Sequence, residues 1–243
     1  MSAAEPSLAD RSAEKAQRIR VRFARGPEAA GIGHLDVSRR WEDALRAAGV
    51  AVSYSQGNRP QPRITIAAGL PAGVTSEGEL LDVVLAELTD PARLVERVQP
   101  FLPEGLAALE AREVGLGLPS LPTLVRWADY EVDMRVGDAD ALRSQVEAFL
   151  SCDSLPWVDT RGEKRREYDL RALVQVLRVE PLCEGAARLV MRLRSDSTGV
   201  GRPDQVVKAL GLPEPVRTHR LRLIVSETSP AREAWRRRGR YVG

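Results

Sequence analysis

Alternation of apolar and polar residues is cleanest in QRIRVRFAR (17–25), with Ile19, Val21 and Phe23 on one side and Arg18, Arg20 and Arg22 on the other. A period of two predicts a half-buried strand. The pattern then changes: Val37, Trp41, Ala44, Leu45 and Ala48 recur at spacings of three and four, one apolar helical stripe. Gly49 is placed to end that helix in the left-handed conformation. VAVSYS (50–55) reads as a second strand, SQGNRPQP interrupts it, and RITIAAG (63–69) resumes in extended form. ELLDVVLAEL (79–88) is β-like, Asp90 and Pro91 open a short helix, and LAALEAREVG (106–115) closes the segment as a strand. The order over 17–115 is β-α-β-β-α-β, the split βαβ arrangement.

GLPSLPTL (117–124) carries two prolines and reads as a linker. A related order restarts with WADYEVDMRVG (127–137), Tyr130, Val132, Met134 and Val136 facing inward. Asp138 or Asp140 caps a helix to about Leu150, a hairpin is expected around Arg161-Gly162, and strands follow at 173–180 and 186–195. A helix at 202–212 and a strand at 216–225 complete the set. The expected fold is therefore α+β, with two ferredoxin-like units whose antiparallel sheets carry helices on one face and leave the other for solvent or a partner. The expected boundaries are a disordered lead at 1–16, a first domain at 17–116, a linker at 117–125, a second domain with an inserted hairpin at 126–227, and a basic tail at 228–243.

The chain has 243 residues, enough for one large domain or two small ones. No apolar run reaches membrane-spanning length, and the N-terminal stretch lacks the apolar core of a secretory signal. The two cysteines, Cys152 and Cys183, are far apart and form no CxxC, which argues against a disulfide framework, a zinc site or an iron–sulfur cluster held by this chain alone. A reducing cytoplasm is the expected compartment. The formal net charge is only +2, yet Lys15, Lys164 and Lys208 are the only lysines among 36 basic residues. A GC-rich genome explains that bias, and selection of arginine for phosphate recognition explains it as well.

Period two places Arg18, Arg20 and Arg22 on one strand face, Arg188, Arg192 and Arg194 on another, and Arg220 and Arg222 on a third. Spaced guanidinium groups on an open sheet face suit a phosphate backbone. Exposed aromatics are missing from these strands, so structured RNA or backbone contact is expected rather than base stacking, with no DNA specificity. The competing reading is a solvated face paired with carboxylates such as Glu131 and Asp133. Arg232, Arg236, Arg237, Arg238 and Arg240 add a separate basic tail.

His34 stands at the start of the first helix, followed by Asp36, which is spaced to pair with Arg40 as Glu42 is with Arg46. Three roles are open to it: helix cap, contact for a ligand or partner, or general base, with Ser55 a nucleophile only if the fold brings the two together. In SQGNRPQPR, Gly57 permits a positive φ while Pro60 and Pro62 stiffen the chain, and Arg59 and Arg63 add charge. That is either a rigid binding loop or a bulge that turns the strand. GLPAGVTSEGE (69–79) is glycine-rich but has no P-loop lysine, so a nucleotide-phosphate loop is excluded there.

GHLDVSRRWEDALRAAGVAVSYSQG, PQPRI and SEGELLD together resemble a radical-SAM-associated bacterial family of unknown function, whose domain occurs alone or fused behind a radical SAM module. The matching positions are His34, Asp36, Arg40, Tyr54, Ser55, Gln56, Gly57, Pro60, Pro62, Arg63, Ser76, Glu77 and Glu79, with a looser likeness in GEKRREYDLRALV and RPDQVVKALGL. Asn58-Arg59 replaces the family's Phe-Asn, so a stacking role of that phenylalanine does not carry over, and Arg63 stands for the family's lysine. The resemblance implies a cytoplasmic protein that binds no cofactor itself and works with a separate radical SAM enzyme. The iron–sulfur cluster and S-adenosylmethionine would then sit on that partner. Three functions follow as expectations: an RNA-binding or substrate-presenting accessory in tRNA or rRNA modification; a metal-independent endoribonuclease using His34, by likeness of fold to RAMP-type RNA-processing proteins; or a protein-interaction scaffold without RNA contact.

Overall fold

The computed structural model describes residues 14–161, 164–183 and 185–226. Most of the expected N-terminal lead, the basic tail and the Arg161-Gly162 turn lie outside the described residues. The protein is α+β, and its named strand pairs run antiparallel. The chain divides into two compact units, Val125–Val225 and the remainder.

In the first unit, strand β1 (Gln17–Arg25) lies between β3 (Thr75–Leu85) and β4 (Leu106–Val114), and β2 (Ile64–Ile66) pairs with β3, giving the order β4-β1-β3-β2. Alternation is strict where it matters. Ile19, Val21 and Phe23 of β1 and Leu81, Val83 and Leu85 of β3 are buried in one core with helices α1 (His34–Ala47) and α2 (Pro91–Val98). Val37, Trp41, Ala44 and Leu45 form the buried stripe of α1. The Trp41 ring meets Phe23 edge-on, with centroids 5.3 Å apart, a geometry that adds about 0.5–1.5 kcal/mol beyond burial. Gly49 ends α1 at φ +65°, and the Val50 amide donates back to the Leu45 carbonyl. Asp90 caps α2 by accepting from the Ala92 amide at 2.9 Å.

Two expectations in this unit need correction. VAVSYS makes only isolated bridges, Val52 to Leu85 and Tyr54 to Pro62, so the ladder is confined to Ile64–Ile66. Pro60 and Pro62 lack amide donors, which shortens the pairing. The stretch expected as a linker is packed instead: Leu121 and Leu124, in a one-turn helix, are fully buried.

In the second unit, β5 (Val125–Arg135) lies between β9 (Ala186–Asp196) and β11 (Arg217–Val225), with β8 (Val174–Cys183) on the far side of β9 and the two-residue β10 (Gly199–Val200) paired with the end of β9. Helices α3 (Ala139–Ser151) and α4 (Pro203–Ala209) supply Leu142, Val146 and Phe149, and Val206 and Val207, to the buried set. Asp138 caps α3, accepting from the amides of Asp140 and Ala141. Strands β6 (Pro156–Arg161) and β7 (Lys164–Asp169) form a separate hairpin, tied down where the Tyr168 hydroxyl donates to Gln205 Oε1 at 2.8 Å. Tyr130, Val132 and Met134 are buried as expected, while Val136 is half-buried.

Candidate functional site

Alternation that sends Ile19 and Leu81 into the helical core sends Arg18, Arg20 and Asp82 to the opposite face of the first sheet. Arg20 lies directly across from Asp82 in the β1–β3 register. The Asp82 carboxylate accepts four N–H bonds: from Arg18 Nε at 2.9 Å and Nη2 at 2.6 Å, and from Arg20 Nε at 2.7 Å and Nη2 at 3.0 Å. All three side chains are buried. Arg18 also donates to the carbonyls of Leu118 (2.8 Å) and Pro119 (3.0 Å), so the 116–120 segment covers this face. The open arginine face expected here is corrected for Arg18 and Arg20, which the carboxylate and the covering segment take out of solvent. Arg22 remains partly exposed and pairs with Glu110, its cross-strand neighbour, at 2.9 Å.

Beside this cluster lies a pocket of about 410 Å³, lined by residues that include Lys15, Arg18, Ser55, Pro62, Arg63, Thr65, Asp82 and Ser120. The SQGNRPQPR stretch forms one wall. It is a short hairpin loop, closed where the Ser55 amide donates to the Gln61 carbonyl (2.8 Å) and the Gln61 amide donates to Ser55 Oγ (2.9 Å). Residues 56–60 are exposed, and Gly57 at φ +124° makes the turn. Arg63 Nε donates to the Tyr54 carbonyl at 3.2 Å, which fixes the guanidinium at the pocket. The Tyr54 hydroxyl reaches Glu42 of α1 at 3.4 Å on the opposite side of the strand. The stretch is thus a closed loop rather than a bulge within a strand, with Gln56, Arg59 and Pro60 exposed on it.

The other motif residues lie elsewhere. His34 is the first residue of α1 and is exposed; Gly33 is the N-cap, and no side chain caps the helix. The capping role is therefore corrected: His34 holds no side-chain hydrogen bond among the described residues. It does not line the pocket that contains Ser55. Asp36 pairs with Arg39 at 3.2 Å rather than with Arg40, whereas Glu42 and Arg46 pair at 2.7 Å as spaced. Ser76 and Glu79 are buried and Glu77 is exposed, three to six residues before Asp82 on β3. At a rise of about 3.3 Å per residue they sit roughly 10–20 Å from the pocket floor.

The arginines of the second unit answer to a column of carboxylates on β5. Arg192 donates to Asp129 at 2.6 and 2.9 Å, and Arg222 donates to the same carboxylate at 2.8 Å. Arg188 pairs with Asp133 at 2.6 Å and with Glu131 at 2.9 Å, and Arg217 approaches Asp133 at 3.3 Å. Burial pushes the Asp129 carboxyl up, but hydrogen bonds from Arg192 and Arg222 outweigh it and hold the group below the usual carboxylate range. The hydrogen bond from Arg188 holds Asp133 down in the same way, against the opposing effect of burial. Arg194 stacks over Trp127 at 5.0 Å and donates to Thr198. Arg220 is a second correction. A bulge between Arg220 and Arg222 reverses the parity of β11, so Arg222 meets Asp129 while Arg220 is buried opposite Tyr130. The paired-face reading describes this sheet better than an open phosphate-binding face.

Sequence reasoning missed Asp82, Lys15, Thr65 and Ser120 as members of one site. Asp82 was the legible one, since it lies between inward Leu81 and Val83 and so shares a face with the β1 arginines. Among the described residues no group of three or more His, Cys, Asp or Glu is placed to hold a metal ion, and no helix is long and apolar enough to cross a membrane. Cys152 and Cys183 are free and exposed.

These features define an antiparallel α+β protein with a pocket of mixed polar and apolar lining on the face of its first sheet opposite α1 and α2. The chain belongs to the family described as an uncharacterized protein conserved in bacteria (DUF2344), matched over residues 18–203. No curated protein matches it. Among solved structures, a Cbf5-Nop10-Gar1 complex is similar at 11% identity and a TM-score of 0.47, over 90% of this chain and 51% of that one. An archaeal box H/ACA sRNP Nop10-Cbf5 complex is similar at 11% identity and a TM-score of 0.42, over 83% of this chain and 46% of that one. A putative glycine cleavage system transcriptional repressor follows at 13% identity and a TM-score of 0.24, over 86% of this chain and 98% of that one. The chain spans about half the length of the first two.

Proposed function

We propose that this protein is a cytoplasmic accessory module that binds RNA and presents it to a separate radical SAM enzyme in tRNA or rRNA modification. On this reading each unit is a split βαβ of ferredoxin-like type. The matching strand orders, β4-β1-β3-β2 and β8-β9-β5-β11, support that. One observation carries the RNA reading: Lys15, Arg18 and Arg63 line a pocket whose one carboxylate among the described residues, Asp82, already binds two guanidiniums. Such a pocket attracts an anion, and phosphate is the anion an RNA offers. The radical SAM partner rests on the motif resemblance, and with two cysteines in the chain the cluster falls to that partner. His34 is assigned no catalytic step.

Purification of the tagged protein from its own cells, with and without ribonuclease, tests the proposal. Co-purifying RNA together with a radical SAM enzyme supports it. A radical SAM enzyme that survives ribonuclease, with no RNA in the untreated sample, reduces the protein to a protein-binding scaffold. Neither RNA nor such an enzyme refutes the proposal as a whole.

A further inference from the structure

We infer that the pocket of the first unit is a site for a phosphomonoester dianion, supplied either by the terminal phosphate of an RNA chain or by a free mononucleotide. The first source rests on the RNA-binding reading above; the site itself does not. The cations converge from two separate segments: Lys15 and Arg18 from the stretch that enters β1, and Arg63 from the hairpin leg. Arg18 is locked in place by Asp82 and by the Leu118 and Pro119 carbonyls, so its charge is preorganised at the floor. Asp82 is shared by two guanidiniums, so the buried cluster keeps a net positive charge.

The free donors point to the same ligand. Arg63 commits only Nε, to Tyr54, and its terminal nitrogens have no partner among the described residues. The Lys15 ammonium and the Thr65 and Ser120 hydroxyls likewise hold no side-chain hydrogen bond among the described residues, and all line the pocket. A phosphomonoester brings about −1.5 to −2 charge and three terminal oxygens, where a backbone diester brings one charge and two. It is the better match to several donors gathered in one concavity. Ile64, Val84, Leu116 and Leu118 add an apolar lining for the sugar or base beside the phosphate. The volume of about 410 Å³ falls within the range of small-ligand pockets, about 300–1,000 Å³. Arg188, Arg192 and Arg222 of β9 and β11 offer no equivalent, because the carboxylates of β5 answer them.

Binding of three probes to the full chain tests this: a structured RNA with a 5′-phosphate, the same RNA with a 5′-hydroxyl, and adenosine 5′-monophosphate. Arg63→Gln and the exposed Lys15→Gln serve as variants, each first shown to keep the wild-type melting temperature. The 5′-phosphate should tighten RNA binding by about tenfold, through added charge-assisted hydrogen bonds, the nucleotide should compete, and both variants should erase the difference. Nucleotide binding without RNA binding keeps the site and overturns the RNA reading. Equal binding of the two RNAs, without nucleotide binding and with both weakened by Arg63→Gln, keeps the RNA reading and overturns the phosphomonoester site. Failure of all three probes overturns both.

Discussion

Asp82→Asn removes one negative charge and almost no volume from the centre of the buried cluster. In the wild type the carboxylate takes four N–H bonds of 2.6–3.0 Å from Arg18 and Arg20, and its side chain is only 3% exposed. Removing one partner of a buried ion pair costs about 3–5 kcal/mol, because the remaining charge stays out of water without compensation. Here two guanidiniums lose the same partner, so the upper part of that range applies. For a chain of this length each kcal/mol shifts the midpoint by about 2–4 °C, so the melting temperature should fall by roughly 10 °C or more. Urea denaturation read by tryptophan fluorescence measures the loss through Trp41, which lies in the same unit. The double variant Arg20→Leu/Asp82→Asn should recover more than 1 kcal/mol of it, since one stranded charge is then gone and Arg18 keeps its two carbonyls. An Asp82→Asn protein within about 1 kcal/mol of wild type would show that water or another group satisfies these arginines, and the pocket would lose its preorganised floor.

Acid should loosen the second unit through Asp129 and Asp133. Both carboxyls are depressed in the folded state by their arginine partners, so the stability they contribute is present above the unfolded carboxylate value and is lost as pH falls through the lowered one. Unfolding followed from pH 6 down to about pH 2 should show a decline starting near pH 4, and the Asp129→Asn/Asp133→Asn protein should lack that part of the slope. Gly105→Ala should cost about 3 kcal/mol in chemical denaturation, because the residue sits at φ +81° and a Cβ there would lie 2.5 Å from the Ala29 amide nitrogen. Gly73→Ala, at φ +79° with open space around it, should cost about 1 kcal/mol; equal losses at the two positions would remove the steric explanation.

Strand parity made much of the fold legible. The alternation in QRIRVRFAR and in EVDMR placed the core side of β1 and β5 correctly, and Gly49, Asp90 and Asp138 marked helix ends where the backbone needed them. What parity could not show was what covers the opposite face. Arg18 and Arg20 look solvent-facing from their own strand, and only the long-range return of the 116–120 segment and the pairing with β3 bury them. Arg220 and Arg222 look like neighbours on one face until the intervening bulge separates them. The pocket is similarly non-local: Lys15, Arg63, Asp82 and Ser120 come from four stretches of chain that no spacing rule links.

If the pocket of the first unit, and not the arginine rows of the second, receives phosphate, charge reversal at the two places must act differently. Fluorescence anisotropy of a labelled structured RNA against salt concentration tests it with the wild type, Arg63→Glu and Arg222→Glu. The wild type should bind in a salt-sensitive way, Arg63→Glu should lose about tenfold or more with a shallower salt slope, and Arg222→Glu should change little. Binding that is indifferent to salt, or that falls with Arg222→Glu while Arg63→Glu is unaffected, would contradict it.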